Sequence, residues 1–356
     1  MRRLALALTA LLAVLLLLYA RPALHTAWEV AQEGLNAIRV NATQLEGAVQ
    51  SALQRLFTYL NATLSSIHIR TLPPVPPEET YNVTLTPLQK FALDYLNEVR
   101  EREGVPPVQW MPLKTPQFRA EYMLKTGIYS HYDAEGREPT YYYTLLDGGK
   151  YAVGENIAAM GCGGSIYLLQ RYGCHINVTG FISWAINAMV YNDSGSHWGH
   201  RISLLNPCNN YVSIGLAYNS SKVFLTIYMV SKWVRWIKPP TYNGSRFTAE
   251  GYVNDTFGST YYVVVFYYAP NSSYVKLHHY DWGTPIATFT IYPEGKNGAF
   301  WLIDVDVPFK AQRPGLYTFV ILGYYEKNII WEPRPGERES SEREECPLDT
   351  YTIEVS

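Results

Sequence analysis

The sequence predicts an α+β protein: a mixed helix-and-strand domain, then an all-β immunoglobulin-like sandwich, with a helical stalk in front. Three observations carry this. Between Thr86 and Ile237, helical and strand patterns alternate without strict βαβ order. From Thr241 onward, about seven short strand-like runs are separated by turns, the spacing of a two-sheet sandwich. Ahead of both, apolar or small residues recur in 3,4 alternation from Trp28 to Tyr59.

The chain has 356 residues, enough for two domains plus accessory segments, and its 47% hydrophobic content provides for a filled core. A net charge of -2 without a basic stripe excludes a nucleic-acid partner. Thirty tyrosines point to strands and polar-faced contact surfaces.

Residues 1–27 open with Arg2 and Arg3, then an unbroken apolar run from Leu4 to Ala20, then Arg21 and Pro22. The pattern is that of a secretory signal or a retained N-terminal membrane anchor. Nine Asn-x-Ser/Thr sequons, at Asn41, Asn61, Asn82, Asn177, Asn192, Asn219, Asn243, Asn254 and Asn271, suit a glycosylated extracellular or cell-surface protein. An even count of four cysteines fits an oxidising compartment.

Residues 28–70 read either as a coiled-coil stalk, able to form an oligomer, or as one amphipathic helix packed on its own domain. Residues 71–85 (TLPPVPPEETYNVTL) form a proline-rich linker, extended and semi-rigid. In the domain at 86–237, helices are expected over Pro87–Glu103, Gln117–Tyr129 and Gly180–Tyr191, and strands over Val212–Ala217 and Val223–Val230. In the sandwich at 238–356, strands are expected over Phe247–Val253, Tyr261–Tyr268, Ser273–Tyr280, Ile286–Ile291, Ala299–Val307, Gly315–Leu322 and Thr350–Val355. The charged stretch Glu332–Pro347 reads as a mobile loop.

Three stretches place His or Glu among small residues and turn-formers: SHYDAEG (Ser130–Gly136), GENIA (Gly154–Ala158) and SHWGHRISLLNP (Ser196–Pro207). They point to one polar cleft gathered from distant loops and helix ends. Together with the opening helix LQKFALDYLNEVREREGVPPVQW, Trp184 in SWAINAMVYND and the closing strand NYVSIGLAY, they give Thr86–Ser231 a clear likeness. This segment resembles the CAP superfamily (cysteine-rich secretory, antigen 5 and pathogenesis-related proteins) in its prokaryotic SCP-domain form. The resemblance implies an α-β-α sandwich and a cleft where His131, Glu155 and His200 converge and hold a divalent metal (zinc, magnesium or calcium). The family's second acidic residue, three after a helix Trp, falls here on Asn187, so the match fails there; Asp193 is the expected substitute.

Two imidazoles and a carboxylate form a facial metal site with positions left for water, and without metal they offer an acid and a base. No serine or cysteine nucleophile with its partners is identifiable, and no HExxH is present. The expected function is binding of a small-molecule, lipid or protein ligand. The alternatives are a metal-dependent hydrolase, a peptidase or cell-envelope enzyme, and a purely structural surface component. For the cysteines three connectivities exist. Cys162–Cys174 with Cys208–Cys346 needs the least rearrangement and would tie the two domains together.

Overall fold

The computed structural model describes residues 51, 53–58, 72–162, 176–277, 279–326 and 343–356. The chain divides into two units, 1–71 and 72–356. In the first unit the described residues are helical, and Thr58 Oγ1 donates to the carbonyl of Gln54 at 2.8 Å. The expected N-terminal apolar segment and most of the stalk lie outside the described residues, as do 163–175 and 327–342. Among the described residues no helix is long and apolar enough to cross a membrane.

The second unit mixes helices with antiparallel sheets. Helix α1 (Pro87–Arg102) starts on a capping box: Thr86 accepts from the Gln89 amide, and the Gln89 side chain accepts from the Thr86 amide. Pro87 at the first helical position needs no N–H partner. Ala92, Leu96 and Val99 form its buried face. Then come β1 (Gln109–Trp110), α2 (Thr115–Thr126), α3 (Pro139–Asp147), β2 (Ala152–Gly161), α4 (Val178–Tyr191), α5 (Gly199–Leu205), β3 (Tyr211–Tyr218) and β4 (Lys222–Ser231).

The sheet order is β1-β3-β4-β2; β1 pairs parallel to β3 and the other pairs are antiparallel. Strand β4 alternates its side chains between two apolar layers. Val223, Leu225, Ile227 and Met229 pack with α1, α4 and α5, while Phe224, Tyr228 and Val230 pack on the opposite face with Met123 of α2 and Tyr143 of α3. A sheet covered on both faces explains why β4 reads as a continuous apolar run. Helix α2 presses so closely on β3 that a Cβ on Gly215 would come 2.1 Å from the Pro116 carbonyl oxygen.

Two further four-stranded sheets follow. One has the order β5-β6-β10-β9, from β5 (Val234–Tyr242), β6 (Arg246–Asn254), β10 (Phe300–Pro308) and β9 (Gly295–Asn297). The other has the order β12-β11-β7-β8, from β12 (Arg343–Val355), β11 (Gly315–Glu326), β7 (Tyr261–Tyr268) and β8 (Thr284–Ile291). Their inner faces share one apolar core, with Phe247 stacked on Phe319 at 4.5 Å between ring centres.

Three expectations need correction. Residues 343–347, expected in the mobile loop Glu332–Pro347, belong to β12 and pair with β11, while 332–342 lie outside the described residues. Ser273–Tyr280 is not a strand: Ser272–Lys276 is a 3-10 turn, and the described residues after it run as coil up to β8. Its period-two pattern does not reflect sheet pairing, because its aromatic residues pack on the first domain, Tyr274 lying 5.5 Å from Tyr132. Strand β5 carries Pro239 and Pro240 and was unread; it straddles position 238, where the sandwich was expected to begin. As an edge strand with register shifts it tolerates residues that lack a ladder N–H.

The two domains are joined along β12. Cys208, after α5, and Cys346, in β12, form a disulfide with Cα atoms 5.7 Å apart. Cys162 is also disulfide-bonded. The amide of Val153 donates to Thr350 Oγ1 at 3.3 Å, and Thr140 and Thr352 hydroxyls meet at 2.7 Å. The proline-rich segment also lies on this unit: the Pro73 carbonyl accepts from Tyr252, and the Glu79 carbonyl accepts from Lys232 Nζ at 2.7 Å.

This seam contains two fully buried carboxyl groups. Glu138 caps α3, accepting from the Thr140 amide at 2.6 Å and from Thr352 Oγ1 at 3.3 Å. Burial pushes its pKa up to about 7 against the pull of those hydrogen bonds. Asp349 is also fully buried; burial holds its pKa well above the carboxylate range, against the pull of the adjacent Thr350 amide.

A raised carboxyl pKa contributes stability in full below the unfolded value, and that contribution is lost as pH rises through the folded value. For Glu138 the window runs from 4.5 to about 7. Glu138→Gln should therefore gain stability over the wild type between pH 5 and pH 8, by about 3 kcal/mol at the upper end. Thermal melts across that range check it; a difference in melting temperature that does not grow with pH would contradict the burial argument.

Candidate functional site

The site grows from a buried charge. Arg119, on α2, is fully buried. Its Nε donates to Glu155 Oε1 at 3.0 Å, and its Nη2 donates to the Ser130 and His131 carbonyls at 2.8 Å each. One guanidinium thus fixes both the carboxylate and the loop that carries His131. Its face is covered by the Tyr122 and Tyr142 rings at 5.7 and 5.8 Å.

Glu155 lies in β2, so the GENIA stretch is strand, not the loop or helix end expected from its small residues. Its Oε1 also accepts from the Tyr228 hydroxyl at 2.9 Å, and its Oε2 meets His131 Nδ1 at 2.9 Å. Burial works to raise the Glu155 pKa; Arg119 and then His131 overcome it and hold the group ionised, below its ordinary value. His131 is itself lowered by burial, against the opposing pull of Glu155. A carboxylate only accepts, so His131 carries its proton on Nδ1, and Nε2 is left with a lone pair.

A second pair faces the first. After α4 the chain turns through Ser194–Ser196, and His197 and Trp198 take left-handed backbone angles of φ 52° and 64° before α5. Asp193 organises this turn. It accepts from the His200 amide at 2.9 Å, the Arg201 amide at 3.2 Å, His200 Nδ1 at 2.7 Å and the Ser196 hydroxyl. Burial would raise its pKa, but the bonds from His200 and Ser196 hold it below its ordinary value. The His131 and His200 rings lie 6.5 Å apart.

Both histidines line a cavity of about 530 Å³ with Glu155, Asn156 and Ser203. Asn156 is positioned by Ser203 Oγ at 2.9 Å and the Ile227 carbonyl at 3.2 Å. Tyr280 and Trp282, from the segment between β7 and β8, complete the lining. Asn187 does not line this cavity; its side-chain amide donates to the Tyr95 hydroxyl on α1 at 2.5 Å. Arg119, Tyr228 and Tyr280 escaped the sequence reading. Each lies in an ordinary amphipathic or strand-like run, and no local motif marks it.

The arrangement is two histidine–carboxylate pairs rather than three converging ligands. Both Glu155 oxygens are engaged with Arg119, Tyr228 and His131, so the carboxylate stands behind its imidazole. Among the described residues no group of three or more His, Cys, Asp or Glu is arranged to hold a metal. A hydrogen-bonded carboxylate behind Nδ1 is nevertheless the support that metal-ligating histidines use, with Nε2 as the donor atom. Ser203 is paired with Asn156. Ser196 Oγ lies 3.1 Å from His200 Nδ1, but both that nitrogen and the Ser196 hydroxyl are directed at Asp193, so the imidazole is not placed to take the serine proton.

No family model matches the chain, and no curated protein matches it. Among solved structures, a similar chain is the CAP domain of enterococcal PrgA, at 16% identity and a TM-score of 0.27. The likeness covers 41% of this chain and 60% of that one, so the chain spans about three fifths of that neighbour.

Glu155→Gln should cost about 3 to 5 kcal/mol, because it leaves Arg119 buried without its counter-charge. The double variant Arg119→Met/Glu155→Gln should recover part of the loss. Urea denaturation checks both; a Glu155→Gln protein as stable as the wild type would contradict the role given to the ion pair.

Proposed function

We propose that this chain is an exported, glycosylated surface protein of the CAP superfamily whose cleft binds a ligand, with a divalent metal held by His131 and His200. The observation that carries the reading is the pair of imidazoles around one cavity, each with Nδ1 committed to a buried or nearly buried carboxylate. That leaves Nε2 of each ring as the donor, with Glu155 and Asp193 behind. Imidazole donors favour zinc over magnesium or calcium. Bound there, the ion would anchor an anionic or carbonyl-bearing ligand; the chain's own residues orient the two rings and shape the cavity.

The three-layer order of helices around the β1-β3-β4-β2 sheet supports the CAP reading of the first domain. The strand orders β5-β6-β10-β9 and β12-β11-β7-β8 correspond to A-B-E-D and G-F-C-C′, which supports an immunoglobulin-like second domain. Export and glycosylation rest on the N-terminal apolar run and the sequons. Of the seven sequon asparagines among the described residues, Asn82, Asn177, Asn192, Asn219, Asn243 and Asn271 are exposed and Asn254 is half-buried. The N-terminal run would tether the protein or direct its secretion, and the stalk would space it from the membrane or pair it with a second copy.

Binding is favoured over hydrolysis because Ser203 is paired with Asn156, and the Ser196 hydroxyl donates to Asp193 rather than to its neighbour His200. Isothermal titration with Zn²⁺, Mg²⁺ and Ca²⁺ tests the reading. Zinc should bind, and its affinity should fall by about tenfold to a hundredfold in His131→Ala and in His200→Ala. Unchanged affinity in both variants, or no zinc binding by the wild type, would remove the site. Metal-dependent peptide or glycan cleavage lost in both variants would make the protein an enzyme instead.

A further inference from the structure

The cavity that holds both histidines is not built by the first domain alone. The segment between β7 and β8 leaves the sandwich and lies on the first domain, where several contacts hold it. The Tyr268 hydroxyl accepts from the Glu138 amide at 2.8 Å and donates to the Gly136 carbonyl at 3.3 Å. The Asn271 backbone sits on Gly136, which has φ +87° and whose Cβ, if present, would come 2.2 Å from the Asn271 carbonyl oxygen. Only glycine permits that approach.

Beyond these anchors, Tyr280 reaches the site. Its hydroxyl accepts the Glu155 amide at 2.6 Å, and its ring centre lies 4.7 Å from that of His131. The two histidines differ accordingly in exposure: the His131 side chain is 6% exposed and that of His200 21%. The cleft is therefore open beside His200 and walled beside His131. The wall is made by a residue of the other domain.

We propose that Tyr280 is a specificity-determining residue: it ends the cleft at His131, so that a compact ligand enters past His200 and a polymer strand laid along both imidazoles is excluded. The proposal rests on reading the cleft as a ligand site and adds the size class of the ligand. A volume of about 530 Å³ is that of a small-molecule pocket. The hydrogen bond through the Glu155 amide and the packing on His131 make Tyr280 part of the wall whether or not a metal is bound.

Two reagents of like chemistry and different size test it on the full chain: diethyl pyrocarbonate and the bulkier di-tert-butyl dicarbonate. Both acylate a free imidazole nitrogen, read at each histidine by peptide mass spectrometry. In the wild type His131 should react about tenfold more slowly than His200 with the smaller reagent and not at all with the larger. Tyr280→Ala should raise the His131 rate about tenfold or more with both reagents and leave His200 within about twofold. Tyr280→Phe, which keeps the ring, should match the wild type. Equal reactivity of the two histidines in the wild type, no gain at His131 in Tyr280→Ala, or a parallel gain at both histidines would overturn the proposal. A zinc titration of the same proteins is read separately. A wild type that acylates as expected but binds no zinc refutes the metal reading and leaves the wall standing.

Discussion

A guanidinium with no exposed surface needs compensation for its charge, and Arg119 finds it at two of its three nitrogens, Nη1 having no hydrogen-bond partner among the described residues. Its charge is met by Glu155, its Nη2 by two consecutive carbonyls, and its faces by two tyrosine rings. Because those carbonyls belong to Ser130 and His131, the same group that neutralises the carboxylate also sets the histidine's backbone. The imidazole then has one orientation available, and its free nitrogen follows from the acceptor on the other. The Asp193 turn repeats this logic at lower burial, with backbone amides in place of the arginine. Two unrelated local solutions thus place two imidazoles around one cavity, each with Nδ1 against a carboxylate.

The second domain is part of this economy rather than an appendage. Tyrosine is the residue that makes it so, since it fills apolar space and still offers a hydroxyl at the far end. Tyr268 and Tyr280 each use the ring for packing and the hydroxyl for a main-chain group of the first domain. The abundance of tyrosine in the sequence finds one of its physical reasons here. The Cys208–Cys346 disulfide and the threonine contacts along β12 keep the same two surfaces in register.

Much of the site was legible because its His, Glu and Asp residues sit in short polar stretches that stand out from apolar surroundings. His131, Glu155 and His200 do line one cavity, and Asp193 does stand beside His200. Local pattern failed where a residue's role is set by a partner distant in the chain. Arg119 looks like any helical arginine until burial reveals its partner 36 positions away. Tyr280 sits in a run that alternates like a strand, yet its partner is the Glu155 amide, 125 positions distant. The expectation that Glu155 would be found in a loop gave too much weight to small neighbours; the stretch forms β2, an edge strand paired with β4. Strand β5 was hidden by its prolines, which an edge position accommodates.

The order in which the seam is made has a consequence for synthesis. Thr350 and Thr352 support β2 and α3 from positions 197 and 212 residues later in the chain, and Cys346 follows its partner by 138. A nascent chain can assemble the β1-β3-β4-β2 layer early, but the stretch around Glu138 stays without its cover until the end of the sandwich has been translated. During that interval the carboxyl of Glu138 is open to solvent and ionised at neutral pH. Docking of β12 raises the Glu138 pKa to about 7, so near neutral pH the closure takes up a fraction of a proton and is favoured by mild acid.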